Sequence, residues 1–68
     1  MNLQNYLRNL KPSERIDFAE KCGTTVAYLY QVAGKHRMPG AGLCRRIEAE
    51  SQGEVLKEIL RPDYFASG

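Results

Sequence analysis

Tryptophan is missing from this chain, and cysteine, histidine and proline are scarce. The two cysteines, Cys22 and Cys44, and the single histidine, His36, form no CxxC or HxxxH arrangement. A closed zinc site needs four ligands at suitable spacing, so neither a metal nor another cofactor is expected. A Cys22–Cys44 bridge is not expected either, because the opening "MNLQNYLRNL" lacks the basic start and long apolar core of a secretory signal. No apolar run approaches the roughly 20 residues of a membrane span. These absences set the expectation of a soluble, cytoplasmic protein that makes no use of a membrane. Nucleophile–base pairs at helical spacing, paired carboxylates suited to a cleft and phosphate-cradling glycine loops are also lacking, so an enzyme is not expected.

Acidic residues are absent from one long stretch. The first twenty residues balance Arg8, Lys11 and Arg15 against Glu14, Asp17 and Glu20. Residues 21–47 then carry Lys21, Lys35, Arg37, Arg45 and Arg46 with no Asp or Glu, a charge of +5. Residues 48–68 return to −3, for a net +2 over the 68 residues. A partner bearing phosphates requires a concentration of positive charge like that in the middle third.

A chain of this size makes a single domain, 1–68, and hides only about 60 % of its unfolded surface on folding, so it must rely on regular local structure. The periodicity is helical throughout. Leu3, Tyr6, Leu7 and Leu10 follow the i, i+3, i+4, i+7 rule and predict a helix over 2–10. Pro12 breaks it, and Ser13 is a suitable N-cap for a second helix. Ile16, Ala19 and Cys22 read as its inward face, with Phe18 beside them, and Gly23 ends it. Thr24 or Thr25 caps a third helix running to Ala33, with Leu29 and Val32 inward and Gly34 at its end. "KHRMPGAG" reads as a loop. A fourth helix from about Gly42 carries Leu43, Cys44 and Ile47 inward and stops near Gly53. A fifth, 54–60, presents Val55, Leu56, Ile59 and Leu60, and Arg61-Pro62 ends it, leaving Tyr64 and Phe65 to pack back on the core or to meet a partner. The expected fold is therefore all-α, with five short helices.

The junction of the second and third helices carries the functional signal. Two helices joined by a short turn cross closely when a small residue sits at the crossing and the turn tolerates positive φ. Ala19 and Gly23 meet those needs, and Leu29 and Val32 return the second helix to the core. The spacing Ala-x3-Gly-x5-Leu-x2-Val is that of a helix-turn-helix, over about residues 15–34, whose second helix enters the DNA major groove. Lys35, His36 and Arg37 follow at once, where the chain would leave the groove past the phosphates. Of the two tyrosines flanking Leu29, Tyr30 is assigned to DNA. Of Arg45 and Arg46, one is expected to support the DNA-facing side and the other to pair with Glu48 or Glu50.

The stretch "FAEKCGTTVAYLYQVAGKHRMP" with the later "RRIEAESQGEVLKEILRPDYF" resembles the small phage repressors of the Cro/CI type. It is similar in particular to their YdaS-like, Cro-like subgroup, in phages and prophages, over about 43 of the 68 residues. The resemblance implies a compact five-helix, lambda-repressor-like domain that binds double-stranded operator DNA as a dimer on short inverted repeats. It places Thr25 at the cap of the recognition helix, 25–33, and on a phosphate. Arg15, Lys35 and Arg37 fall at further backbone-contacting positions, and His36 between the last two is a weaker phosphate contact. Val26 and Ala27 occupy base-facing positions where relatives often carry Gln or Ser. Being apolar, they can meet a thymine methyl but cannot make bidentate hydrogen bonds. Gln31 matches a base-reading position and its amide suits adenine N6 and N7. The subgroup also carries an antitoxin-like label. The alternative reading is accordingly an interaction module whose acidic C-terminal segment binds a cognate partner protein. So small a chain has little surface for a strong interface, so a weak homodimer formed on DNA is the expected assembly.

Overall fold

Asn2 opens the first helix, α1 (Leu3–Asn9), with its side-chain oxygen accepting the Asn5 N–H at 2.8 Å. The computed structural model describes residues 1–65, so the last three residues of the expected domain lie outside the described part. The described residues form five further helices and no strand: α2 (Pro12–Cys22), α3 (Val26–Ala33), α4 (Ala41–Glu50), α5 (Lys57–Leu60) and α6 (Pro62–Phe65). The all-α class holds, with one helix more than the periodicity suggests.

α2 starts two residues earlier than a Ser13 cap implies. Pro12 is its first residue, where a missing N–H costs nothing, and Lys11 precedes it with its N–H donated to the Glu14 carboxylate at 2.7 Å. Phe18, Ala19 and Cys22 are buried, whereas Ile16 is 53 % exposed and is not part of the inward face. Arg15 takes the place one turn before Phe18: its Nε donates to the Leu7 carbonyl at 2.6 Å, and Nη2 donates to that of Arg8 at 3.5 Å. A cation thus closes the last turn of α1 while holding α2 against it.

One core joins Leu3 and Leu7 of α1, the buried face of α2, Leu29 and Val32 of α3, Ile47 of α4 and Val55. Tyr6 tilts against Phe18 with ring centroids 5.1 Å apart. α2 lies on α4 and α3, and α1 on α3. Cys22 and Cys44 are buried and unbridged, as expected of small core residues. Burial pushes the Cys22 thiol up to about 11, Glu50 adding to the effect and Arg46 opposing it.

The segment after α4 departs most from expectation. Val55 is buried but not helical, and Leu56 and Ile59 are 43 % and 48 % exposed instead of facing the core. Side chains hold this segment out of helix. Buried Ser51 donates its hydroxyl to the Glu48 carbonyl and accepts the Val55 N–H, both at 3.1 Å. The Glu48 carboxylate then accepts the Lys57 N–H at 3.0 Å, capping α5 one residue after Leu56. Arg61 completes the arrangement, donating to Pro39 O at 2.9 Å and to both Asp63 oxygens at 3.0 Å.

These bonds predict an acid-sensitive C-terminal part. The Lys57 N–H holds the Glu48 carboxyl below its usual range, and the Arg61 guanidinium does the same for Asp63. Their ordinary values are about 4.3 and 3.9. With folded values lowered, the stabilisation is complete above the ordinary values and is lost as pH falls through the lowered ones. Melting temperature is expected to hold from pH 7 to about 5 and to drop below about 4. Glu48→Gln should shallow that drop; an unchanged acid limb in melts of the variant would refute the assignment.

Candidate nucleic-acid interface

The turn between α2 and α3 is built on Gly23, whose φ of 77° lies where a side chain is strained. Its N–H donates to Glu20 O and that of Thr24 to Ala19 O, both at 2.9 Å, so the last carbonyls of α2 are satisfied as the chain reverses. Arg46 of α4 reaches into this turn: its Nη1 lies 2.8 Å from where a Cβ on Gly23 would stand. Sequence reasoning does not determine this placement, and the acid-free run from 21 to 47 is the only signal for it. Arg45 instead lies over the Phe65 ring at 5.4 Å, and Glu48 pairs with Lys57, so neither arginine makes the expected ion pair with Glu48 or Glu50.

Thr25 caps α3 by accepting the Tyr28 N–H at 3.1 Å. Its own hydroxyl proton remains available to an acceptor outside. With Leu29 and Val32 buried and Tyr28 packed against the core, α3 turns Ala27, Tyr30 and Gln31 to solvent. Positions 27, 30 and 31 follow the i, i+3, i+4 rule and form one continuous outer stripe. Val26, which the resemblance puts at a base-facing position, is partly buried against the core and offers only part of its side chain. Tyr30, at 41 % exposure, is the outward member of the tyrosine pair.

The end of α3 brings the cations next to that stripe. Lys35 donates its N–H to Val32 O at 3.1 Å and His36 to Gln31 O at 2.9 Å, the paired bonds of a Schellman turn. Gly34 closes the helix, but its φ is −84°; the left-handed residue is Lys35, at 63°. Gly34 serves space instead, since a Cβ there would stand 2.9 Å from the His36 ring. Lys35, His36 and Arg37 are all exposed. The ion pairs among the described residues are made by Lys57 and Arg61, so this cationic run is left to solvent.

A lysine in the left-handed region costs about 1–2 kcal/mol that a glycine would not incur, and such strain gathers at functional positions. Lys35→Gly is therefore expected to raise stability by about 0.5–1 kcal/mol while removing a cation from the interface. Denaturant titration reads the first effect and duplex titration the second; a variant no more stable than the parent would remove the strain argument.

The structure thus gathers Thr25, Ala27, Tyr30, Gln31, Lys35, His36 and Arg37 on and beside the outer face of α3, with Val26 half turned inward. Arg15 is engaged with α1. The chain matches no family model, no curated protein and no solved structure. No helix among the described residues is long and apolar enough to cross a membrane.

Proposed function

We propose that this chain is a sequence-specific, DNA-binding regulator of transcription, a Cro-like repressor of lambda-repressor-like, helix-turn-helix fold. The observation that carries the reading is the outer stripe of α3 followed directly by exposed Lys35, His36 and Arg37, two of them fixed cations and the first held in a strained backbone conformation. α3 enters the major groove, Gln31 reads adenine through its amide, and Ala27, Tyr30 and the exposed part of Val26 meet thymine methyls. Thr25, Lys35, His36 and Arg37 hold the flanking phosphates, and the donors of Arg15 not used on α1 add to them. Two subunits on an inverted repeat set their α3 helices about 34 Å apart.

If each subunit neutralises three or four phosphates, log K falls against log salt with a slope of about −5 to −7. Titrating a labelled duplex at several salt concentrations measures it, and a slope near zero would sink the reading. A second reading, an interaction module working through the C-terminal segment, draws support from Tyr64, which is 59 % exposed. Under that reading Tyr64→Ala abolishes capture of a partner protein while duplex binding survives.

A further inference from the structure

We infer that the groove beside the end of α3 docks an acidic, amphipathic helix of another protein, and that this helix and DNA exclude each other. The groove has a volume of about 530 Å³. Its apolar lining includes Val32 and Leu60, together with Met38 and Ile59, which are 68 % and 48 % exposed. A groove of this kind takes the apolar face of a helix through side chains spaced by three and four, and a flexible methionine adapts to what enters. The described residues offer no strand edge for an extended peptide to join, so a helix is the form that fits.

The charge of the lining decides the chemistry of that helix. Lys35, His36 and Arg37 all line the groove, against a single carboxylate, Asp63. That carboxylate is already neutralised, because Arg61 donates to both of its oxygens at 3.0 Å. Lys35 and Arg37 enter no ion pair among the described residues. The groove therefore carries two uncompensated fixed cations, which Asp or Glu side chains bordering the apolar face of an incoming helix complement. The charge of −3 over residues 48–68, taken alone, would call for a basic partner. The groove calls for the opposite.

Lys35 and Arg37 are also the side chains assigned to the phosphates beside α3. A docked acidic helix takes the same cations, so each ligand lowers the apparent affinity for the other by the same factor. The docked protein thus acts as an inducer, releasing the regulator from its operator. This exclusion rests on the DNA-binding reading, while docking itself is testable without DNA.

The test selects peptides from a displayed library of random, helix-forming sequences on the DNA-free chain, then titrates the strongest of them into isotope-labelled chain. Selected peptides should carry Asp or Glu beside apolar residues spaced by three or four. They should move the amide resonances of residues 35–39 and 59–63 while those of α1 stay. Met38→Ala with Ile59→Ala should weaken the peptide at least about tenfold with an unchanged melt. Met38→Ala alone replaces the pair if the double variant melts lower. Added to the duplex complex, the peptide should release the duplex from the parent and far less readily from the variant. No enrichment, enrichment of basic or uncharged sequences, shifts on other surfaces, or a variant that binds the peptide as tightly as the parent would each overturn docking. Peptide and duplex bound at once would overturn the exclusion. A chain that binds peptide but no duplex keeps the site and removes the DNA-binding reading, and one that binds duplex but no peptide does the reverse.

Discussion

Replacing Lys35 and Arg37 together by alanine is expected to weaken duplex binding roughly 10²–10³-fold at about 0.15 M salt. The magnitude follows from counterion release. Each phosphate of B-DNA that a side chain no longer neutralises takes about 0.9 off the slope of log K against log salt, and in a dimer the two substitutions leave four such phosphates. The slope should therefore become shallower by about 3 to 4, and the weakening should be nearly the same on every sequence, since these side chains touch no base. Stability should hardly change, because both side chains are exposed and outside the ion pairs of the fold. Gln31→Ala provides the contrast. It should leave the slope alone and cost about 1–3 kcal/mol on the preferred site only. A double variant whose slope equals the parent's would remove Lys35 and Arg37 from the interface.

Leu29→Ala has the largest expected effect on stability. Leu29 is fully buried between the stripe that faces out and the core that positions it. Truncating such a leucine costs about 2–5 kcal/mol. A chain of 68 residues has roughly 3–10 kcal/mol in total, so the variant should be largely unfolded near 37 °C. Ile16→Ala is the matched control: the same periodic reasoning would make it comparable, but its exposure limits the cost to about 0.5 kcal/mol. Denaturant melts of the pair separate the two positions, and equal losses would mean that α2 is rotated from the orientation described.

That contrast marks where the sequence stops being legible. The inward positions of α2 are 15, 18, 19 and 22, a regular helical stripe whose first place is taken by an arginine. A charged residue on the inner stripe hides the period, so Ile16 looks like the start of the face. α1 and α3 carry no such substitution, and Leu3, Leu7, Leu29 and Val32 are buried as their spacing implies. Gly23 is readable because its left-handed turn follows from glycine's own chemistry. The left-handed Lys35 is not, since the adjacent Gly34 looks the better candidate, whereas the Schellman bonds from Lys35 to Val32 and from His36 to Gln31 put the left-handed position one residue later. The start of α5 depends on Glu48 reaching nine residues forward, a bond between side chain and backbone that no periodicity encodes. Within the candidate site, the cations and the exposed face of α3 are legible. The place of Arg46 in the turn and the open groove beneath Met38 depend on the packing of distant segments.

Selection of bound duplexes from a random-sequence pool, at near-physiological salt where non-specific attraction is weak, tests the central claim most directly. The account predicts enrichment of an inverted repeat with half-sites about one helical turn apart and an adenine in each half-site that Gln31→Ala no longer prefers. A pool that stays random under those conditions, from a protein that still binds duplex at low salt, would contradict sequence-specific regulation and leave the basic strip as a non-specific contact.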